Sequence, residues 1–233
     1  MFINLLKKIY YEKYSKKSYS ISSVDLVIDR LFRNINKGIY IDIGCNHPIK
    51  YNNTYLLHKK GWKGINIDLD KTSINEFNLM RKNDHNVQEI VGSLDDEEKE
   101  IYYYHERSAI NTLSKELVEK RLTKPREIIK KKSTSINTII ENSPFKDKKI
   151  NFMSIDIENY EYEALKYFNF KKYNIDIIVT ELTDLNQVKL ETYNQSLTYI
   201  LNTDLYKLLE KNDYKLINWV NSDLVFSKNN LKI

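Results

Sequence analysis

The segment from Tyr40 to Pro48 constrains the fold of this chain more than any other. It reads Tyr-Ile-Asp-Ile-Gly-Cys-Asn-His-Pro, a short apolar strand that runs into a turn with an acid, a glycine and small polar residues. Glycine lets a backbone approach a ligand closely, and Asp42 offers a hydrogen-bond acceptor. The pattern is typical of an α/β protein where a nucleotide-like ligand crosses the carboxyl edge of the sheet. Because many buried strands end in Asp or Gly, the prediction depends on the later segments of the chain.

Composition limits the class of protein. A chain of 233 residues fits one domain with a short appendage, and a net charge of +5 allows acidic partners without requiring nucleic acid. The single cysteine, Cys45, excludes an internal disulfide, so we expect a reducing, cytoplasmic location. No apolar run approaches the ~18 residues of a transmembrane segment. Residues 1–20 are basic and Tyr-rich, which predicts a helix that packs on the domain or makes peripheral contact with an anionic membrane.

Strands and helices alternate along the chain, which predicts a doubly wound, mostly parallel sheet. We predict strands over 39–43, 64–68, 87–91, 99–105, 127–135, 150–156, 175–180, 214–220 and 224–227. We predict helices over 51–60, 72–82, 114–122, 136–142, 159–168 and 203–211. An earlier helix should be capped by Ser22 or Ser23 and end at Gly38. We therefore divide the chain into an N-terminal helical extension, residues 1–37, and one α/β domain, residues 38–233.

Acids follow several of the predicted strands. They are Asp42, Asp68, Asp156 and Glu181. Because parallel strands present their carboxyl ends at one edge, we expect these side chains to share a site. Asp68, after the second strand, matches the acid that binds ribose hydroxyls in dinucleotide folds. Any one of them is equally well explained as a solvated loop residue, so the prediction depends on the set.

Further segments carry a resemblance to a known family. They are Gly61-Trp-Lys-Gly-Ile-Asn-Ile-Asp68, Ser108-Ala-Ile-Asn-Thr-Leu113, Ile155-Asp-Ile-Glu-Asn-Tyr-Glu161 and Ile177-Ile-Val-Thr-Glu-Leu182. With residues 40–48 they resemble the FkbM-type S-adenosylmethionine-dependent methyltransferases, over about residues 38–227. This implies a Rossmann-like class I methyltransferase fold, whose mostly parallel seven-stranded sheet has an antiparallel edge strand. The family usually has glycine where this chain has Asn159, and Asn is well able to adopt the positive φ of that turn.

The resemblance implies a binding site for the cofactor S-adenosylmethionine. Asp42 would accept from its ammonium group or a bridging water, Gly44 would lie close to its methionine end, and Asp68 would bind the ribose. Two residues after the third strand, Ser93 and Leu94, would flank the adenine, although an ordinary turn explains them equally well. The predicted cofactor-binding residues are Asp42, Gly44, Asn46, Asp68, Ser93, Leu94 and Asp156.

Three residues are candidates for catalysis, namely His47, Asp156 and Glu158. His47 titrates near neutral pH and lies in the predicted cofactor loop, although a surface histidine is the plainer explanation. Asp156 and Glu158 are one residue apart, and like charges so close raise one pKa, which favours a general base. The alternative is that Glu158 caps the next helix. The predicted substrate-binding residues are His47, His105, Asn111 and Glu181.

The resemblance implies O-methylation of a hydroxyl on a sugar, a glycan or a glycosylated small molecule. Mg²⁺ is a possible but not an expected cofactor, and no metal ligand and no nucleic-acid partner are predicted. One alternative is an N-methyltransferase that acts on protein or nucleic acid. Against it, residues 156–159 stand in place of the Asn/Asp-Pro-Pro-Tyr/Phe motif of base amino-group methylation. Another is a non-catalytic binding module of the same fold in a glycan-assembly complex, which the intact Asp42, Gly44 and Asp68 disfavour.

Overall fold

The structure, a computed structural model, describes residue 7 and residues 10–12, 14–183 and 196–229. The strands are β1 (Ile39–Ile43), β2 (Lys63–Asp68), β3 (His85–Gln88), β4 (Val91–Gly92), β5 (Glu98–Tyr103), β6 (Glu127–Lys132), β7 (Thr134–Ser135), β8 (Phe152–Ile155), β9 (Ile177–Glu181), β10 (Tyr214–Val220) and β11 (Asp223–Lys228). The helices are α1 (Val24–Leu31), α2 (Tyr55–Lys59), α3 (Lys71–Met80), α4 (Lys115–Lys120), α5 (Ile136–Glu141), α6 (Glu161–Leu165), α7 (Phe170–Tyr173), α8 (Leu197–Asn202) and α9 (Asp204–Lys211).

The central sheet has seven strands in the order β10-β11-β9-β8-β1-β2-β3. The five strands from β9 to β3 are parallel, which confirms the mostly parallel sheet. Strands β10 and β11 pair antiparallel at one edge of the sheet, as expected for the two last strands, and the strand with reversed direction, β11, is the second from that edge. The reason is burial: β11 is buried along most of its length, whereas β10 is largely exposed and takes the edge.

Hydrophobic side chains cover both faces of this sheet. Along β1, Ile41 and Ile43 belong to one cluster, and Tyr40 belongs to a second cluster on the other face. Side chains of α5, α6, α7, α8 and α9 contribute to the first cluster, and those of α1 and α2 contribute to the second. None of the helices in the described ranges has the length and apolar character that crossing a bilayer requires.

The N-terminal region differs in detail from the prediction. Of the helix predicted over residues 1–20, residues 7 and 10–12 are helical and residues 15–20 are not, while residues 1–6, 8, 9 and 13 lie outside the described residues. Ser22 rather than Ser23 accepts from the Val24 N–H at the start of α1 (3.3 Å). Helix α1 ends at Leu31, well before Gly38. A Cβ at position 38 would lie 2.5 Å from the Trp62 ring, so packing explains this glycine. The division of the chain at residue 37 stays a prediction.

Several other elements have shifted boundaries. The third strand of the sheet, β3, ends at Gln88 instead of residue 91. Strands β5 and β6, which correspond to the strands predicted over 99–105 and 127–135, pair antiparallel in a separate two-stranded sheet. Helix α6 begins only at Glu161, because Glu158 and Asn159 both adopt positive φ. Helices α7 and α8 were not predicted, since each is too short to show a helical repeat of apolar residues.

Candidate active site

A cavity lies at the carboxyl ends of β1, β2 and β8, as the strand-end acids predicted. The space it encloses, counted together with the part open to solvent, is about 610 Å³. Its floor comes from the strand ends, and its roof comes from the segment of residues 107–113, which we call the roof loop. Among the predicted site residues, those that line it are Gly44, Asn46, Asp68, Asn111, Asp156 and Glu158.

Gly44 allows two strand ends to meet in this cavity. Its φ is +78°, and a Cβ at this position would lie 1.8 Å from the backbone oxygen of Asp156. The Gly44 N–H donates to the Ile67 oxygen (2.9 Å), and the Asp156 N–H donates to the Ile43 oxygen (3.0 Å). No other residue type fits between these backbones without moving them. The glycine is therefore needed by the protein itself, before any ligand is considered.

Asp68 faces the cavity from the end of β2. Its carboxylate accepts from the Asn46 N–H and from the Asp70 N–H, each at 2.8 Å. Burial raises the pKa of Asp68 to about 6, while these two hydrogen bonds act in the opposite direction. The carboxylate is thus fixed in orientation, and each oxygen keeps a lone pair that can accept from a ligand hydroxyl.

Asp42 lies behind the loop that follows β1 and outside the cavity lining. It is buried and accepts from the Asn52 amide (2.9 Å) and the Thr54 hydroxyl (2.7 Å). Burial raises its pKa, and the charge of the buried Arg81 opposes that shift. Arg81 also donates to the Pro48 oxygen (3.0 Å) and the Asn52 side chain (2.7 Å). The geometry thus favours a role for Asp42 in supporting the loop over the predicted direct contact.

A cluster of three carboxylates forms the other end of the site. Oxygens of Asp156, Glu158 and Glu181 all lie within 4.8 Å of one another. Desolvation and the charges of Glu181 and Glu158 raise the pKa of Asp156 well above its ordinary value, although Asp156 keeps a solvent-exposed side. Desolvation and Glu181 raise the pKa of Glu158 to about 7, against the opposing charge of Arg121, its ion-pair partner. We call these three carboxylates the acid cluster.

Glu158 does not cap the following helix in this structure. The turn that carries it has φ of +58° at Glu158 and +68° at Asn159, so the expected positive φ at Asn159 is confirmed. Glu161 instead accepts from the Ile157 N–H (2.9 Å), and burial raises the pKa of Glu161 to about 8. The left-handed turn aims the Glu158 carboxylate at Arg121 and into the acid cluster.

His47 lies outside the cavity lining. Its Nδ1 accepts from the backbone N–H groups of Ile49 and Lys50, both at 3.0 Å. Its Nε2 is 3.9 Å from a Glu76 oxygen, and burial lowers the pKa of the ring. A neutral ring that accepts through Nδ1 carries its proton on Nε2, so neither nitrogen is free to take a proton from a substrate. In this structure the His47 ring therefore stabilises the loop after β1 through its two hydrogen bonds to the backbone.

Ser93 and Leu94 also lie outside the cavity lining. Ser93 donates to Glu97 (3.2 Å), and Leu94 is exposed. After β3, the residues that line the cavity are Glu89, Ile90 and Val91, because β3 ends three residues earlier than residue 91. The choice of Ser93 and Leu94 depended on a third strand that ran to residue 91, and that boundary was wrong.

The predicted acceptor residues have different positions. His105 is exposed, lies outside the cavity lining and donates to the Glu106 oxygen (2.8 Å). Asn111 lines the cavity, but its side chain accepts from the Tyr104 N–H (2.8 Å) and donates to the His105 oxygen (3.1 Å). Asn111 therefore shapes the roof loop. Glu181 lies in the acid cluster and accepts from the Ser222 hydroxyl (3.0 Å).

Comparison with known proteins agrees with this geometry. The family model of the methyltransferase FkbM domain matches residues 42–216, which is most of the chain. The chain belongs to the FkbM methyltransferase family. The matched range includes the loop after β1, the roof loop and the acid cluster. It confirms the resemblance noted in the sequence. The search of curated proteins gave no match.

Sequence reasoning missed three residues of this FkbM-family site. Asp70 caps α3 by accepting from the Thr72 N–H (2.8 Å), and an Asp before Lys-Thr-Ser is a recognisable capping signal. Glu89 is a strand-end acid of the kind we collected, but it was hidden inside the overlong third strand. Arg121 has no sequence signal, because its partner Glu158 is far away along the chain.

Proposed function

We propose that this protein transfers a methyl group from S-adenosylmethionine to a hydroxyl group of a sugar, a glycan or a glycosylated small molecule. The observation that carries the proposal is a single cavity with a fixed strand-end acid at one end and a cluster of carboxylates at the other. Membership of the family supports methyl transfer in general. The choice of S-adenosylmethionine rests on the residues that line the cavity, and the choice of a sugar-type acceptor rests on the family resemblance.

The cofactor end of the cavity fits S-adenosylmethionine. Gly44 and Asn46 lie in the loop after β1 and leave room for the methionine part of the cofactor beside it. Asp68 offers hydrogen-bond acceptors to the ribose hydroxyls. Ile90 and Val91 give an apolar wall suited to a flat ring such as adenine. The parallel strands and the hydrophobic clusters on both sheet faces support a doubly wound, Rossmann-like fold. When bound, the cofactor supplies an electrophilic methyl group.

The acid cluster supplies a base for the acceptor. A hydroxyl is a poor nucleophile at neutral pH, and a carboxylate with a raised pKa takes its proton more readily than an ordinary one. We assign this role to Asp156, because it is exposed to the solvent side and Glu158 is already paired with Arg121. Asp156 must be ionised to act, so turnover should rise with pH through its raised pKa and fail in acid.

The charge of the cluster restricts the acceptor. Three carboxylates against one guanidinium repel phosphates, so we expect no nucleic acid as a partner and a neutral region around the reacting hydroxyl. A cytoplasmic location and peripheral membrane contact through the basic N-terminus stay predictions from the sequence.

Two measurements test the proposal. Isothermal calorimetry should show binding of S-adenosylmethionine and S-adenosylhomocysteine, and binding of neither would refute the proposed cofactor. Labelled methyl transfer should then be assayed on a mixture of methyl glycosides, with a lysine-rich peptide and an oligonucleotide as controls. Transfer to the glycosides alone supports the proposal, whereas transfer to either control alone favours an N-methyltransferase.

Chelation tests the expectation that Mg²⁺ is not needed. Arg121 already places a cation beside the acid cluster, and a carboxyl with a raised pKa can hold a proton in place of a metal. We therefore expect unchanged methyl transfer after EDTA treatment and no gain on adding Mg²⁺. Activity that is lost with EDTA and returns with Mg²⁺ would contradict this expectation.

A further inference from the structure

Arg121 joins two parts of the candidate site. One nitrogen, Nη2, pairs with the Glu158 carboxylate, and the other, Nη1, donates to the backbone oxygen of Ile110 in the roof loop (2.6 Å). The Arg121 side chain is 18% exposed and that of Glu158 is 22% exposed, so solvent screens this pair only in part. A single guanidinium therefore connects the acid cluster to the segment that covers the cavity.

Neighbouring contacts fix this connection in place. The Thr112 hydroxyl donates to the Glu158 backbone oxygen (2.7 Å). The roof loop therefore also contacts the backbone of the turn that carries Glu158. The Arg121 guanidinium carbon lies 5.6 Å from the centroid of the Tyr104 ring. A planar guanidinium held between a ring, a carboxylate and a carbonyl has little freedom to turn.

The roof loop also makes stabilising contacts at the end of the cavity proposed for the cofactor. The Arg107 N–H donates to Asp70 (2.7 Å), and the Arg107 side chain pairs with Glu76 on α3. The loop thus crosses the cavity from the start of α3 to the acid cluster. At the far side, Arg121 is the side chain that touches both the loop and a carboxylate of the cluster.

We propose that Arg121 is the positioning residue of the acid cluster, and that it aims Glu158 and couples this placement to closure of the roof loop. The inference rests on the proposed function, since it assigns Arg121 to the acceptor end of the same site. Without Arg121, three carboxylates would lie together with no paired cation among the described residues, and Glu158 would turn away. The cofactor end, with Gly44 and Asp68, would keep its own contacts.

The first test separates turnover from cofactor binding. Arg121→Met should lower kcat for a methyl glycoside mixture by about 100-fold, the scale of a slightly misplaced catalytic group, with the Kd of S-adenosylhomocysteine within about 3-fold. Arg121→Lys should rescue only part of the loss, because lysine lacks the planar fork. Arg126→Met, at an exposed arginine nearby, is the matched control and should leave both values unchanged.

The second test needs no acceptor. Amide hydrogen exchange should rise in both residues 108–113 and 157–161 in Arg121→Met, and it should rise in the same segments in Glu158→Ala. The double variant should show little further increase, because each single change already breaks the connection. Exchange that rises in one segment only, or additive increases, would overturn the proposal.

Failure of this inference can be told apart from failure of the proposed function. A wild-type protein that binds neither S-adenosylmethionine nor S-adenosylhomocysteine would refute the proposed function. Hydrogen exchange on the two single variants and the double variant would still decide whether Arg121 connects residues 108–113 to residues 157–161. If the wild type binds and transfers methyl groups, but Arg121→Met loses cofactor affinity as much as kcat, Arg121 has a general structural role and the inference is wrong.

Discussion

The two ends of the cavity differ in how their charged and polar groups are paired. At the cofactor end, Asp68 has two backbone donors, and Arg81 holds the loop through Pro48 and Asn52. At the acceptor end, the acid cluster crowds like charges around one ion pair. The first arrangement satisfies its polar groups, which suits a rigid binding surface. The second leaves charges in conflict, which shifts pKa values and is common where a proton must move.

The difference teaches which part of the site tolerates change. A satisfied loop loses several interactions at once when its backbone moves, so its variants should affect folding and binding together. A crowded cluster keeps its shape when one carboxylate becomes an amide, so its variants should affect chemistry alone. Substitutions at the two ends should therefore differ in their effects on stability, cofactor affinity and turnover.

Gly44→Ala should have the largest effect, because its Cβ would overlap the Asp156 backbone oxygen and its φ is positive. We expect a loss of at least about 3 kcal/mol in the free energy of unfolding, together with loss of S-adenosylhomocysteine binding. Gly61→Ala is the matched control, since φ there is +88° but no described atom lies within 4 Å of the new Cβ. It should cost about 1 kcal/mol, measured by urea unfolding. Equal losses in the two variants would contradict the close-contact argument.

A pair of isosteric changes should separate binding from chemistry. Asp156→Asn removes the proposed base and should lower kcat by about 10²–10⁴-fold, with a small change in cofactor affinity. Asp68→Asn weakens hydrogen bonds to the ligand and should raise the Kd of S-adenosylhomocysteine by about 10–100-fold. Calorimetry and labelled methyl transfer measure both variants. If each change affected kcat and Kd equally, the two ends of the cavity would not have separate roles.

Glu161→Gln should alter how stability depends on pH. The pKa of Glu161 is raised to about 8 from an ordinary 4.5. Between these values the folded protein holds more protons than the unfolded chain, so stability present at pH 5 is lost as pH rises towards 8. Gln stays neutral and can still accept from the Ile157 N–H. We expect the variant to be more stable than wild type at pH 8 by on the order of 2 kcal/mol, in urea unfolding.

A neighbouring residue gives the control for this change. Glu163 lies on the same helix, is partly exposed and is 3.7 Å from the Lys166 ammonium. Glu163→Gln should leave the pH dependence as in wild type. Some slope should remain in Glu161→Gln, because burial also raises the pKa of Asp223 to about 7 and that of Asp68 to about 6. A wild-type stability that increases from pH 5 to pH 8 would contradict the sign of this argument.

The sequence predicted the strand-end acids well, because the apolar strands before them have a clear pattern and topology brings their ends together. Asp68 and Asp156 were found in this way and line the cavity, whereas Asp42 and Glu181 were found in the same way and lie outside its lining. Sequence reasoning could not find Arg121, because its pairing with Glu158 depends on how the segment of residues 98–132 folds relative to the central sheet. Ser93 was chosen in place of Glu89 because a strand boundary carries only a weak signal.

His47 shows that sequence position alone does not determine where a side chain points. Its position after Gly44 indicated a residue near the reacting groups, but residues 47–50 turn back and their backbone N–H groups occupy Nδ1. Sequence distance to a motif does not fix the direction of a side chain in a turn. The structure therefore assigns His47 to loop support, and this assignment yields the smallest predicted effect.

His47→Ala should lower kcat and cofactor affinity by less than about 3-fold and cost about 1 kcal/mol of stability, the scale of lost hydrogen bonds to two N–H groups. Asp156→Asn is the reference for what loss of a base does, so both variants should be assayed together across pH. If His47→Ala abolished turnover and removed a rising limb of the pH profile, the loop would have to release Nδ1 during the reaction. The cofactor end would then share in the chemistry, and the separation between a satisfied binding end and a crowded reacting end would fail.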